Sequence, residues 1–193
     1  MTPAALEDAD NELTADLRHA LADVLDRIEA DEATMTCIEQ QLAEHARSDL
    51  RAQRYLAAGG IGVITATALS ASCGDLKRFP SGRHFASSLG LAPRVTASGH
   101  CTRMGRITKR GDRYLRTLLI HGARAELRAA AVARAKAKPI DRTRAWALAL
   151  ADKAGHNVAA IALANKTARR LWAAEKHGER FDPNHVSPRP ERH

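Results

Sequence analysis

"LAAGGIGVITATALSASCGD", residues 56–75, decides what kind of fold this chain builds. Gly59, Gly60 and Gly62 interrupt a helical pattern, and an apolar, alanine-rich helix resumes at Val63. Two helices joined by a Gly-Ile-Gly turn have the form of a helix-hairpin-helix. Glycines let the turn backbone lie flat against a ligand. The unpaired amides that open the second helix point where a phosphate oxygen can accept them. Gly60 and Gly62 are therefore candidate DNA contacts that would position the protein without reading bases. An ordinary tight turn between two helices has the same local pattern.

C-terminal to this turn, Ser81 is a plausible cap for a helix to about Leu89. Gly90 ends that helix and Pro93 prevents its return. "VTASGH", residues 95–100, reads as a turn or short extended piece. Helix is expected to resume near residues 107–109 and run to about Ala137. Leu115, Leu118, Leu119, Gly122, Ala123 and Leu127 form its buried stripe, with Arg106, Arg110 and Arg113 on an opposing face at i, i+4, i+7 spacing. Pro139 stops this helix and another begins near Asp141. "AGHNVAAIALANKTARRLWAAEKHG", residues 154–178, is a last helix with apolar positions at Val158, Ile161, Leu163, Ala168, Leu171 and Trp172. Residues 179–193 read as a loose polar tail.

N-terminal to the turn, Leu17, Leu21, Val24, Ile28, Met35, Ile38 and Leu42 fall on one alternating four-three register, with Asp31 at the missing seam position. That is a heptad pattern. It fits one long helix or a pair broken near Asp31. The arm either packs on its own domain or makes a homo-oligomer through residues 13–45. The expected fold is thus mainly α: an acidic heptad arm over residues 1–50, a compact helical domain over residues 51–178, and the tail.

The charge follows the same division. Residues 1–50 hold thirteen acids and three bases; residues 51–193 hold nine acids and twenty-seven bases. Such asymmetry is expected when only the body meets a polyanion. The bases cluster at Arg94, Arg103, Arg106, Lys109, Arg110, Arg113 and Arg116, which are the candidate phosphate contacts. Aromatics make up only 4% of the chain, which favours tightly packed helices over a β-sandwich. Cys37, Cys73 and Cys101 form no CxxC or CxxH pair, so zinc is not expected. No apolar run is long enough to cross a membrane. The expected location is the cytoplasm.

"GGIGVIT" at 59–65, "SLGLAPR" at 88–94, Ser98-Gly99, "GRITKRGDRYLR" at 105–116, "GARA" at 122–125 and "DKAGHNVAAIALANKTARRLWA" at 152–173 together resemble the C-terminal domain of the IS110/IS116/IS902 (Piv/MooV-like) transposases. The resemblance covers about residues 55–175, and the arm is similar to that family's coiled-coil connector. It implies a DNA recombinase with two functional halves. A RuvC-like domain supplies four metal-binding acids, and the C-terminal domain carries a serine nucleophile, which falls here on Ser98. The resemblance also implies DNA as partner, a guide RNA in some members, and Mg²⁺ only with the RuvC-like half, so that no cofactor is expected in this chain. The family's acidic half has no counterpart in these residues, because the acids of residues 1–50 lie on a heptad helix. A RuvC-like partner acting in trans is therefore expected. A non-catalytic helix-hairpin-helix DNA binder and an inactive remnant of an insertion element are the alternatives.

A serine hydroxyl attacks a phosphodiester only when something takes its proton and the non-bridging oxygens are neutralised. The arginine cluster suits the second need. The metal of a RuvC-like partner would meet the first.

Overall fold

The computed structural model describes residues 13–98 and 101–185, with the backbone alone at residues 97, 98 and 101–104. The described chain is mainly helical: α1 (Ala15–Ser48), α2 (Leu50–Leu56), α3 (Val63–Cys73), a 3-10 turn (Leu76–Arg78), α4 (Gly82–Ser88), strands β1 (Pro93–Ser98) and β2 (Cys101–Ile107), α5 (Arg113–Ala135), α6 (Arg142–Ala154) and α7 (His156–His177). Two compact units divide at His45 and Ala46.

The first unit is the heptad arm. Its helix runs through Asp31 without a break, so the single-helix form of the pattern is the one realised. Thr14 accepts the amide of Leu17 at the helix start. Leu17, Val24, Ile28, Met35 and Ile38 are each about half exposed. They make a stripe of apolar side chains that the chain itself leaves in water.

The second unit is built around α7. Ala159, Ala160, Ala164 and Ala168 are fully buried on one side of it, and their small side chains let α4, α5 and α6 pack closely against that side. Leu163 and Leu171 fill the spaces between, together with Leu69, Leu76, Phe85, Leu115, Leu119 and Leu127. Four helices start on side-chain caps: Asp49 accepts from Arg51 N, Ser81 from His84 N, Asp112 from Leu115 N and Asp141 from Arg144 N. Each satisfies an amide that the helix itself leaves orphaned. A buried clasp ties the two ends of the unit. The Tyr55 hydroxyl donates to one oxygen of Glu175, and the other accepts the Leu76 amide at 3.1 Å.

The region from Pro93 to Asp112 departs from the sequence-based expectation. It is an antiparallel hairpin pairing Val95 with Met104, Thr96 with Arg103 and Ser98 with Cys101, and the register shifts between Pro93 and Val95. Pro93 opens the first strand, where its missing amide costs nothing, and Val95, Thr96, Thr102 and Ile107 favour extended backbone. The helix after it starts at Arg113, not near residues 107–109, because Gly111 (φ +105°) and the Asp112 cap set its start. Arg106, Arg110 and Arg113 therefore do not share a helix face. Part of the expected tail is also anchored. Pro183 O accepts the Thr143 hydroxyl and Asn184 accepts the Arg142 amide; residues 186–193 lie outside the described residues.

The hairpin's base is held by backbone against backbone. Thr108 N donates to Ala92 O, Lys109 N to Gly90 O and Asp112 N to Ser88 O. A Cβ on Gly111 would lie 1.9 Å from Ser88 O. Gly111→Ala should therefore lose about 2–5 kcal/mol from the clash and the positive φ together. Gly62→Ala, whose Cβ would meet nothing within 4 Å at an ordinary φ, should stay within about 1 kcal/mol. Denaturant midpoints of the two variants check this, and equal midpoints would refute the account of the hairpin base.

Candidate nucleic-acid interface

The hairpin carries Ser98 at the end of β1, with its backbone in register with Cys101. The side chains of Ser98 and Arg103 lie outside what the structure describes, as does Gly99. Around the hairpin base the remaining candidate cations converge from three kinds of backbone. Arg94 and Arg106 are exposed on the two strands, Lys109 and Arg110 are exposed in the loop, and Arg113 is exposed on the first residue of α5. Lys109 sits at φ +57°, which a non-glycine residue adopts at a cost of about 1 kcal/mol. The amide of Lys109 is the one bound to Gly90 O, so the hairpin-base contact holds this conformation.

Arg116 differs from the others. It is 9% exposed, and its guanidinium donates to Leu89 O at 3.1 Å and to Asp112 O at 3.4 Å. Its charge lies beside the interface while its donors are used on the α4–α5 junction.

The two glycines of the turn also part ways. Gly60 (φ +75°) faces inward, where a Cβ would meet Gly122 O at 2.7 Å; a Cβ on Gly122 would lie 1.8 Å from Gly60 O. Helix α5 crosses this turn at backbone contact. Gly62 is the N-cap of α3, makes no side-chain cap and has open space in front of it.

Further cations come from residues far along the chain. A cavity of about 1710 Å³ opens beside the hairpin base, with Arg106, Lys109 and Arg116 in its wall. Arg83, Arg124, Arg142, Lys166, Arg169 and Arg170 complete it from α4, α5, α6 and α7. Sequence reasoning missed all six. The available signal was the spacing of Lys166, Arg169 and Arg170 at i, i+3, i+4 on the last helix. Burial, followed by the neighbouring charges of Arg170, Arg142 and Arg169, lowers the Lys166 pKa. Arg170 is likewise lowered by burial, and donates to the Thr143 hydroxyl at 2.6 Å.

Among the described residues, no three His, Cys, Asp or Glu side chains cluster in a way that could hold a metal ion. The acids of α1 follow one another along a solvated helix. None of the described helices is long and apolar enough to cross a membrane.

The second unit is thus a mainly helical domain that carries a hairpin with exposed cations at its base. Residues 52–138 match the model of the transposase IS116/IS110/IS902 family, and through this region the chain belongs to that family. It is 47% identical over 161 residues to a probable family 20 transposase of Pseudomonas aeruginosa, covering 83% of this chain and 46% of that protein. It is 41% identical over 135 residues to the transposase for insertion sequence element IS1111A of Coxiella burnetii, covering 70% and 35%. With the transposase for insertion sequence element IS1328 of Yersinia enterocolitica it shares 38% over 144 residues, covering 75% and 41%. The chain thus spans less than half the length of these curated relatives.

If the exposed cations at the hairpin base hold phosphates, Arg110→Ala should reduce the slope of log affinity against log salt by about one unit on random duplex DNA. Titrations across a salt series check this. An unchanged slope would remove Arg110 from the interface.

Proposed function

We propose that this chain is the DNA-binding, serine-bearing part of an IS110-family transposase, acting in transposition by site-specific recombination. The observation that carries the reading is the hairpin: Ser98 stands at its far end, and exposed arginines and a lysine gather at its base. The reaction would be a transesterification. The serine Oγ forms a bond to phosphorus, a phosphorus–oxygen bond to the adjoining sugar breaks, and the serine proton ends on the leaving sugar oxygen. No electron is gained or lost.

The described residues do not fit a divalent-metal site, so no step is assigned to a metal held by them. The proton acceptor is expected from a RuvC-like acidic domain outside these residues. A guide RNA and Mg²⁺ enter the proposal only through the family resemblance. Binding to chromosomal DNA would place the protein on the nucleoid.

A second part of the proposal concerns the arm. Its half-exposed stripe of Leu17, Val24, Ile28, Met35 and Ile38 keeps the heptad spacing that a second copy would cover. Pairing of two arms would bring two serines to one recombination site. Ile28→Asp should dissociate the oligomer in sedimentation, and a wild-type monomer at micromolar concentrations would refute the pairing.

The chemistry is tested by adduct formation. With supercoiled element-end DNA, Mg²⁺ and a RuvC-like domain from the same family, the wild type should become covalently joined to DNA. Ser98→Ala should bind DNA as well as the wild type and give no adduct, since one hydroxyl is removed and the cations stay. An adduct formed by Ser98→Ala would place the nucleophile elsewhere.

A further inference from the structure

We infer that the cavity beside the hairpin base receives an unpaired stretch of DNA strand, with a base laid against Trp146 and the flanking phosphates on the cations around it. This rests on the DNA-binding reading above and specifies which form of DNA the second surface takes.

Three features of the cavity point the same way. Among the described residues, nine arginines and lysines line it and no carboxylate does. A wall of that composition repels itself until an anion arrives. Part of its lining is apolar: Leu91, Ile107, Ile120, Trp146, Val158 and Ile161. Val158 is 51% exposed and Trp146 is 38% exposed. Single exposed apolar residues are ordinary, but here they line the same cavity as nine cations. Its volume, about 1710 Å³, also exceeds that of most small-molecule pockets, which run from about 300 to 1,000 Å³.

Duplex DNA meets only half of these features. It presents phosphates and keeps the faces of its bases stacked, so it would engage the cations and leave the apolar lining without a partner. An unpaired strand presents both: phosphates for the cations, and flat π faces for an aromatic platform. Trp146 is already used in this sense, because the Lys166 ammonium stands over its ring, 4.1 Å from the centroid. A base stacking there would shift the ammonium outward onto the adjacent phosphate. Arg170 adds a guanidinium nitrogen that is buried and has no hydrogen-bond partner among the described residues. The cavity opens beside the base of the hairpin that carries Ser98, with Pro93, Arg106 and Ile107 in its lining.

Tryptophan fluorescence tests the inference. The chain has two tryptophans, Trp146 and Trp172. In Trp172→Phe, oligo(dT) should quench the remaining emission strongly; in Trp146→Phe, where the remaining Trp172 also lines the cavity but has its ring nitrogen bound to Phe79 O, the quenching should be weaker. Trp146→Ala should weaken oligo(dT) binding by about 5- to 150-fold, the range of one lost base stack, and leave duplex affinity within about two-fold. Arg169→Ala, at an exposed position on the cavity wall, should flatten the oligo(dT) salt slope by about one unit without a change in melting temperature.

Equal quenching by duplex, or an unchanged oligo(dT) affinity in Trp146→Ala, would overturn the inference and leave the hairpin-base interface standing. Binding of oligo(U) as tight as oligo(dT) would overturn the assignment to DNA. If neither single strand nor duplex binds at low salt, the DNA-binding reading itself falls, and this inference falls with it.

Discussion

Everything functional in the second unit depends on two loops touching backbone to backbone. The turn after α4 and the turn before α5 meet at Gly90 (φ +70°) and Gly111 (φ +105°), and a Cβ on either would lie within 2.2 Å of a carbonyl oxygen on the other loop. Three backbone hydrogen bonds close the contact. A two-stranded hairpin is marginally stable by itself. This junction supplies the support, because both strands leave from one clamped base. It also fixes Lys109 and Arg110 on the loop between the hairpin and α5, so the aim of the hairpin and the position of its cations are set together.

The second constraint is electrostatic. Two buried acids of this unit are held by partners inside it. Glu175 is 5% exposed and both its oxygens are used, one by Tyr55 and one by Leu76. Glu126 lies behind the glycine turn, where burial raises its pKa against the opposing pull of Arg144, whose Nε is 3.5 Å away. A Cβ on Gly59 would strike that carboxylate, so the buried acid and the small residue require each other. Arg134 pairs with Asp152 in the open, an exposed pair that contributes little. Five cations, Arg94, Arg106, Lys109, Arg110 and Arg113, stand exposed at the hairpin base, and nine arginines and lysines line the cavity.

Helices α5 and α7 reconcile these demands. Each presents small and aliphatic residues to the core and cations to the cavity. On α7 the alanines at 159, 160, 164 and 168 are buried, while Lys166 and Arg169, one turn around, line the wall. Val158 and Ile161 belong to the same wall. Residues that periodicity counts as core are thus spent on a surface, and that is how part of the cavity's lining becomes apolar.

Much of this could be read from the chain alone. The heptad spacing of Leu17 through Leu42, the interruption at Gly59–Gly62, the caps at Ser81 and Asp141 and the stop at Pro139 are local signals. Local backbone preferences act within a few residues, so helix existence and most helix ends followed from them. The cation cluster from Arg94 to Arg116 was legible as composition. Its geometry was not. Arginine and lysine suit helix and strand alike, so "GRITKRGD" carried no period that would separate a strand and loop from a helix; the Gly111–Asp112 cap was the available signal. The burial of Arg116, the inward turn of Gly60 against Gly122, and the joining of Arg83 with residues more than eighty positions later in one wall depend on which surfaces meet. Those are contacts between residues far apart in the chain, chosen by packing. Sequence spacing determines which face a residue takes on its own helix, and only the packed structure decides what that face looks at.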